Sequence, residues 1–223
     1  MAKKPKVEKD PKGQLPTGKL ALRKDPRVYA REIPKIPIAH VRIVGLDLGT
    51  ATGIAFCDIV PGMPITNAKV VLGVWDLAVG PYDSGPLRHI RLKQFLSILQ
   101  PDVIMYENVK YDPPAELIKS RGMGPGAIVA RVATAAEFLG GLKTTVSTWA
   151  EERSIPAQGV AIAQIKKFAT GRGNAGKEDM IKACNEQFGT TLPVEDYQRT
   201  GADNMADAAF VCFMGIQNYS EGL

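Results

Sequence analysis

The chain has 223 residues, 45% of them hydrophobic, which is enough for one domain of ordinary size with a packed core. It contains no apolar run long enough for a membrane helix, and its lysine-rich start has no apolar segment behind it, so the sequence predicts a cytoplasmic protein without signal peptide or membrane contact. Three separated cysteines and two histidines favour neither a disulfide framework nor a histidine- or cysteine-based metal site, which leaves carboxylates for any metal chemistry.

Residues 1–40 form a basic, proline-containing extension. They hold eleven Lys and Arg against four Asp and Glu, a net charge of +7, whereas the rest of the chain carries −2. Without sustained apolar periodicity, the extension is predicted to be flexible or extended, and residues 41–223 to form the folded domain. A basic arm favours polyanions through counterion release. A solubilising tail and a strap packed through its few apolar side chains (Leu20, Leu22, Val28, Tyr29) are the alternatives.

Three antiparallel strands are predicted for residues 41–47, 53–59 and 69–77, because these runs are apolar and separated by turn residues. Asp47 ends the first strand. A carboxylate in an apolar strand is costly to bury unpaired, so it is expected to hold a cation or accept hydrogen bonds. Gly49 and Gly53 suit a tight turn, and a hairpin in which the acid only caps that turn is the simpler alternative.

A β-α-β unit is predicted next. Apolar residues recur at helical spacing from Leu87 to Leu99, Pro101 ends the helix, and a short apolar strand follows from Val103 to Glu107. Glu107 therefore repeats the position of the first acid, at the carboxyl end of a strand, where open α/β sheets place their chemistry.

The second half of the chain is predicted to be mainly helical. A glycine-rich loop at 121–126 precedes a helix through Leu139, and a separate amphipathic stretch surrounds Trp149. One strand at 160–162 and three helices are predicted after it, at residues 164–169, 177–188 and 203–218.

The last helix supplies two further acids. Asp203 and Asp207 are four residues apart, so both carboxylates lie on one helical face. Interaction with the helix dipole accounts for Asp203 better than for Asp207, which lies a turn farther in. Shared binding of a hard cation such as Mg2+ accounts for both, and two such ions about 3.5–4 Å apart can clamp a phosphodiester.

Four segments, in order along the chain, resemble the RuvC family of Holliday junction resolvases, of phage and bacterial type, within the RNase H-like superfamily. Residues 45–55 (GLDLGTATGIA) resemble its first strand-turn-strand, residues 106–107 (YE) its second acidic strand end, and residues 203–208 (DNMADA) its acidic helix. The most specific segment, residues 164–177 (QIKKFATGRGNAGK), is similar to the family pattern V-K-x-x-x-x-G-x-G-x-A-x-K.

The resemblance implies an α/β fold with an RNase H-like mixed sheet, three antiparallel strands followed by parallel strands, flanked by helices. It implies a Mg2+-dependent endonuclease that cleaves Holliday junctions or other branched DNA as a homodimer. The implied catalytic residues are metal ligands for two Mg2+ ions, with Mn2+ as a substitute: Asp47, Glu107, Asp203 and Asp207. The sequence departs from the family at Asn204, where a histidine or an acid is usual, so Asp203 is expected to supply the fourth ligand.

The same resemblance implies that Lys166 and Lys177 contact DNA phosphates. The residues alone also allow a simple glycine-rich loop that opens a helix, with both lysines on a solvated face. Two other functions remain open: a non-catalytic nucleic-acid-binding module, and an ATP-binding fragment, because the Asp-Leu-Gly-Thr run also resembles a phosphate loop of actin-like ATPases and sugar kinases. The second phosphate loop of those ATPases has no convincing copy in the chain.

Overall fold

The computed structural model describes residues 27–28, 40–60, 69–108 and 125–220, of which 27–28 and 125–132 are described by backbone alone. Its strands are β1 Arg27–Val28, β2 Val41–Asp47, β3 Ala51–Ile59, β4 Val71–Asp76, β5 Val103–Glu107 and β6 Ala157–Val160. Its helices are α1 Leu87–Leu99, α2 Pro125–Glu151, α3 Ile162–Thr170, α4 Lys177–Phe188, α5 Tyr197–Thr200 and α6 Ala202–Ser220.

The described strands form one mixed sheet in the order β1-β4-β3-β2-β5-β6. Strands β2, β3 and β4 pair antiparallel, whereas β5 and β6 join β2 in parallel. The predicted RNase H-like arrangement of antiparallel strands followed by parallel ones is therefore confirmed. In the β2–β3 register Asp47 pairs with Gly53, so the first acid lies at the hairpin end of the pair.

Each face of the sheet has its own apolar core, because successive strand side chains point to opposite sides. On one face Ile43 and Met105 pack with the buried side of α6, including Phe210. On the other face Val44 packs with residues of α1 and α2, including Trp149. Strand β2 is thus covered on both sides, which holds the carboxyl end of this strand in place.

Two elements differ from the sequence prediction. Helix α2 runs continuously from Pro125 to Glu151, where two separate stretches were predicted; the glycine pair at 140–141 is tolerated inside a helix that packs on α1. The last strand is Ala157–Val160 rather than 160–162, because Ala161 already caps helix α3. Parallel pairing with β5 makes a strand of this weakly apolar segment, so tertiary context overrides local propensity.

Two described residues of the N-terminal extension form β1, the outermost strand beside β4. Arg27 pairs with Val74 and Val28 with Gly73, both on β4. The other residues of the predicted flexible extension lie outside the described residues, apart from His40, as does most of the predicted glycine-rich loop at 121–126. Within the described ranges, all three cysteines are free and buried, and none of the helices combines the length and apolar character needed to cross a membrane.

Candidate metal centre

Three acids converge at one edge of the sheet. Asp47 ends β2 and Glu107 ends β5; because these neighbouring strands are parallel, their carboxyl ends meet. Helix α6 crosses the same edge and adds Asp207. One carboxylate oxygen from each of the three residues lies within 4.8 Å of the other two.

The close approach of α6 depends on two glycines in the hairpin. A Cβ atom on Gly45 would lie 2.3 Å from the carbonyl oxygen of Ala208, and one on Gly53 would lie 2.0 Å from that of Asn204. Real Cβ atoms do not come so near, so only glycine admits the helix at this distance. Gly53 was interpreted as a turn residue; it lies within β3, and its missing side chain makes room for the helix that carries the third acid.

Burial and the repulsion of neighbouring carboxylates raise the pKa values of all three acids. Burial, followed by the charges of Glu107 and Asp207, raises the pKa of Asp47 well above its usual value. Burial raises the pKa of Glu107 to about 7, with the charge of Asp207 adding to the effect. Burial also raises the pKa of Asp207 to about 6. The cluster therefore resists carrying three negative charges without a compensating cation.

The two lysines predicted to contact DNA stand beside this cluster. The half-buried Lys166, on α3, lowers the pKa values of Glu107 and Asp207 through its charge. Lys177, the first residue of α4, does so for all three acids. Two helices that follow the sheet in sequence thus direct positive charge toward the acids at its edge.

The structure does not bring Asp203 into the group of three. Its buried carboxylate accepts a hydrogen bond from Lys177 Nζ at 2.5 Å, and the same ammonium lies 5.5 Å from the ring centroid of Tyr197. Asn204 faces the hairpin, where its Nδ2 donates to the carbonyl oxygen of Ala51 at 2.7 Å. Tyr197 could not be predicted from the sequence, because its contact with the lysine exists only in the folded chain.

The donor set fits a hard divalent cation. Three carboxylates supply oxygen alone, the ligand that Mg2+ and Mn2+ prefer, whereas zinc sites usually include histidine or cysteine. A cation bound there would also offset the repulsion that raises the pKa values of the acids. Asp47, Glu107 and Asp207 are therefore the residues of the described chain best placed to hold such an ion.

The sheet order and the acids at its edge define a fold of the RNase H-like class. Within that class, the chain has a RuvC-like fold, similar to two solved structures from Thermus thermophilus. RuvC in complex with Holliday junction substrate shares 20% sequence identity at a TM-score of 0.56, and a second RuvC structure shares 18% at 0.52. Each similarity covers 82% of this chain and 97% of the other. No protein-family model and no curated protein sequence matches the chain.

Proposed function

We propose that this protein is a Mg2+-dependent endonuclease that cleaves Holliday junctions or other branched DNA by phosphodiester hydrolysis. The observation that carries the proposal is the convergence of Asp47, Glu107 and Asp207 within 4.8 Å at the sheet edge. The RuvC-like fold supports it, because a Thermus thermophilus protein of that fold was solved with a Holliday junction substrate.

The metal ligands in this proposal are Asp47, Glu107 and Asp207, with Mg2+ as the natural ion and Mn2+ as its substitute. Three carboxylates can serve two ions, because Mg2+ is commonly bound by one or two carboxylates and completed by water and substrate phosphate oxygens. When bound, such ions stabilise the negative charge that develops on the phosphate and make water a better nucleophile. Asp203 was predicted as a fourth ligand, but its carboxylate is already engaged by Lys177.

The protein itself contributes position and charge. Asp47 and Glu107 are fixed on adjacent strands and Asp207 on a helix packed directly against them, so the ligands are arranged before the substrate arrives. Lys166 and Lys177 provide positive charge beside the acids, where a DNA phosphate would bind. A covalent protein intermediate is not required, since water can attack the phosphate directly.

A synthetic four-way junction tests the proposal. The wild-type protein should cut it in Mg2+ or Mn2+ and leave a linear duplex of the same length largely intact. Asp47→Asn and Glu107→Gln should each lower the cleavage rate by at least about 100-fold, because each removes charge stabilisation from the transition state. Both should still bind the junction in a gel shift assay.

Asp102→Asn is the matched control, because Asp102 lies just before β5, at the opposite end of the strand from Glu107. It should cleave at the wild-type rate. Full cleavage by both site variants would refute the metal assignment. Junction binding without any cleavage by the wild-type protein would instead identify a non-catalytic module, and ATP hydrolysis would favour the ATPase alternative.

We also propose that the protein acts as a homodimer in the cytoplasm and that the basic extension binds DNA. A two-fold dimer would place two nuclease centres symmetrically on a four-way junction. Deleting residues 1–26 should weaken binding to all DNA and reduce its salt dependence without changing the maximal cleavage rate. Deleting residues 1–38 removes strand β1 as well and should also lower the melting temperature. An unchanged salt dependence in both would leave only a solubilising or structural role.

A further inference from the structure

Asp203 and Lys177 form a contact that the metal ligands do not explain. The Asp203 side chain is only 8% exposed, and its carboxylate accepts the hydrogen bond from Lys177 Nζ at 2.5 Å. The two residues lie in the first turns of α6 and α4, so the contact joins the starts of two helices beside the acid cluster. Tyr197 lies against the same ammonium, with its ring centroid at 5.5 Å.

The lysine keeps capacity for a further partner. A lysine ammonium has three N–H donors, and the Asp203 carboxylate uses one of them. The Lys177 side chain remains 59% exposed, so solvent or a ligand can reach it while the pair stays intact. An ion pair closed within the core leaves neither partner accessible. Here the acceptor is buried, but a ligand can still reach the ammonium.

Holding the ammonium in advance lowers the entropic cost of binding. A free lysine side chain can adopt many rotamers, and part of that rotamer entropy is lost when it binds a phosphate. Here Asp203 and Tyr197 hold the side chain in the folded protein. The pair Lys182–Glu178, on the same helix α4, offers a contrast in the acidic partner: Glu178 is itself 63% exposed and lies 3.8 Å from the lysine nitrogen.

We propose that Asp203 is a positioning residue: it holds Lys177 beside the acid cluster, ready to bind a phosphate of the DNA substrate, and it is not a metal ligand. This inference rests on the proposed nuclease function and refines it. The proposal assigns the two aspartates of α6 different tasks, with Asp207 facing the cation and Asp203 facing the lysine.

Metal binding separates the two roles of Asp203 without any cleavage assay. Mn2+ titrations, followed by calorimetry or electron paramagnetic resonance, would compare the DNA-free wild-type protein with Asp203→Asn and Asp207→Asn. Asp207→Asn should weaken Mn2+ binding by at least about 10-fold, whereas Asp203→Asn should change it by less than about threefold. Equal losses in the two variants would make Asp203 a ligand and overturn the proposal.

DNA binding tests the positioning itself, in an Asp47→Asn background that cannot cut the junction. Asp203→Ala removes a negative charge, so electrostatics alone predicts tighter DNA binding. Positioning predicts the opposite, an affinity lowered by about 10-fold, as in Lys177→Ala. The double variant should bind no more weakly than either single one, because both changes remove the same contact.

Asp203→Asn should recover part of the lost affinity, because its amide oxygen can still accept from Lys177. Glu178→Ala is the control that removes the acidic partner of the exposed Lys182, and it should not weaken binding. Affinity that is unchanged or higher in Asp203→Ala, or losses that add in the double variant, would overturn the proposal. If Asp203→Ala does not fold, Asp203→Asn must still bind more weakly than its parent. Failure of the unsubstituted protein to bind the junction would count against the proposed function itself, separately from Asp203.

Discussion

The two ends of strand β2 both bury charge, and they do so in opposite ways. At the start of the strand, Arg42 pairs with Asp58 through two hydrogen bonds, Nε to Oδ1 at 2.6 Å and Nη2 to Oδ2 at 2.7 Å. At its end, Asp47 meets two further acids. The first end is a closed ion pair within the fold, and the second is a site with charge left to satisfy.

The balance of charges explains the difference. Arg42 also donates from Nη1 to the carbonyl oxygen of Leu99 at 2.8 Å and lies 5.1 Å from the ring centroid of Phe56, so its guanidinium is well satisfied by the protein. Within the described ranges, the four carboxylates at or beside the candidate metal centre face two ammonium groups, those of Lys166 and Lys177. Buried charge that the described residues do not balance points to a ligand.

The largest expected effect comes from breaking the ion pair at the start of β2. Arg42→Met leaves Asp58 buried without its partner and should lower the free energy of unfolding by about 3–5 kcal/mol. Replacing both residues, as Arg42→Met with Asp58→Leu, should restore much of that loss, because no unpaired charge remains. Urea unfolding of the three proteins measures this. A single variant that loses less than about 1 kcal/mol would show that the pair is not desolvated as described.

The next effect concerns how α6 reaches the acid cluster at the end of β2. Gly53→Ala places a Cβ atom 2.0 Å from the Asn204 carbonyl oxygen, so the helix must move, at a cost of about 1–3 kcal/mol in the free energy of unfolding. Displacement of Asp207 should also reduce Mg2+-dependent cleavage by about 10- to 100-fold. Gly49→Ala is the control, because its Cβ would meet no atom closer than 3.7 Å. Equal behaviour of the two variants would contradict the close approach.

The pH dependence of stability should reveal the excess of acids. Because the folded protein raises the pKa of Glu107 to about 7 and of Asp207 to about 6, it binds these protons more tightly than the unfolded chain does. The stabilisation is complete at low pH and is lost as pH rises through the folded pKa values. The metal-free protein should therefore lose up to about 4 kcal/mol of unfolding free energy between about pH 5 and 8.

Mg2+ should reverse that loss at the higher pH, and Asp207→Asn should flatten the profile, since each removes the repulsion. Thermal or urea unfolding at several pH values, with and without Mg2+, gives the comparison. A metal-free wild-type protein whose stability rises over the same interval would show that the acids are not strained by their proximity.

The smallest effect is expected for Lys166→Ala, which removes one positive charge from beside the acid cluster. DNA affinity should fall on all sequences alike, and the slope of log affinity against log salt should decrease in magnitude by about one. The neighbouring Lys167 is exposed on the same helix, and Lys167→Ala serves as the control for a general loss of charge. Identical slopes in the wild type and Lys166→Ala would return this lysine to a solvated surface.

The sequence identified the strand acids because an acid after an apolar run is conspicuous. Asp47 and Glu107 both end strands that are otherwise apolar, and the parallel pairing of those strands follows from the β-α-β pattern. The two aspartates of the last helix looked equivalent by spacing. Only tertiary structure distinguishes them, because the partner of Asp203 comes from another helix, 26 residues earlier in the chain.

The fold was predictable to a similar extent. The antiparallel strands and helix α1 carry clear apolar patterns and turn residues, and their positions agree with the prediction to within about two residues. Strand β6 (Ala157–Val160) has no such pattern. The segment becomes a strand because it pairs in parallel with β5. The need for glycine at positions 45 and 53 also could not be predicted from the local sequence, because the helix that these glycines admit lies far away in the sequence.

Helix α6 lies near the end of the chain, so a ribosome completes the acid cluster late in synthesis. The helix supplies Asp207 and also fills much of one core, yet it is synthesised after every described strand. Contacts over such long separations form slowly, since the intervening chain must first be closed into a loop. A nascent chain that already displays Asp47 and Glu107 therefore lacks its third acid until this helix emerges and docks. The proposed nuclease activity would then appear only when folding is nearly complete.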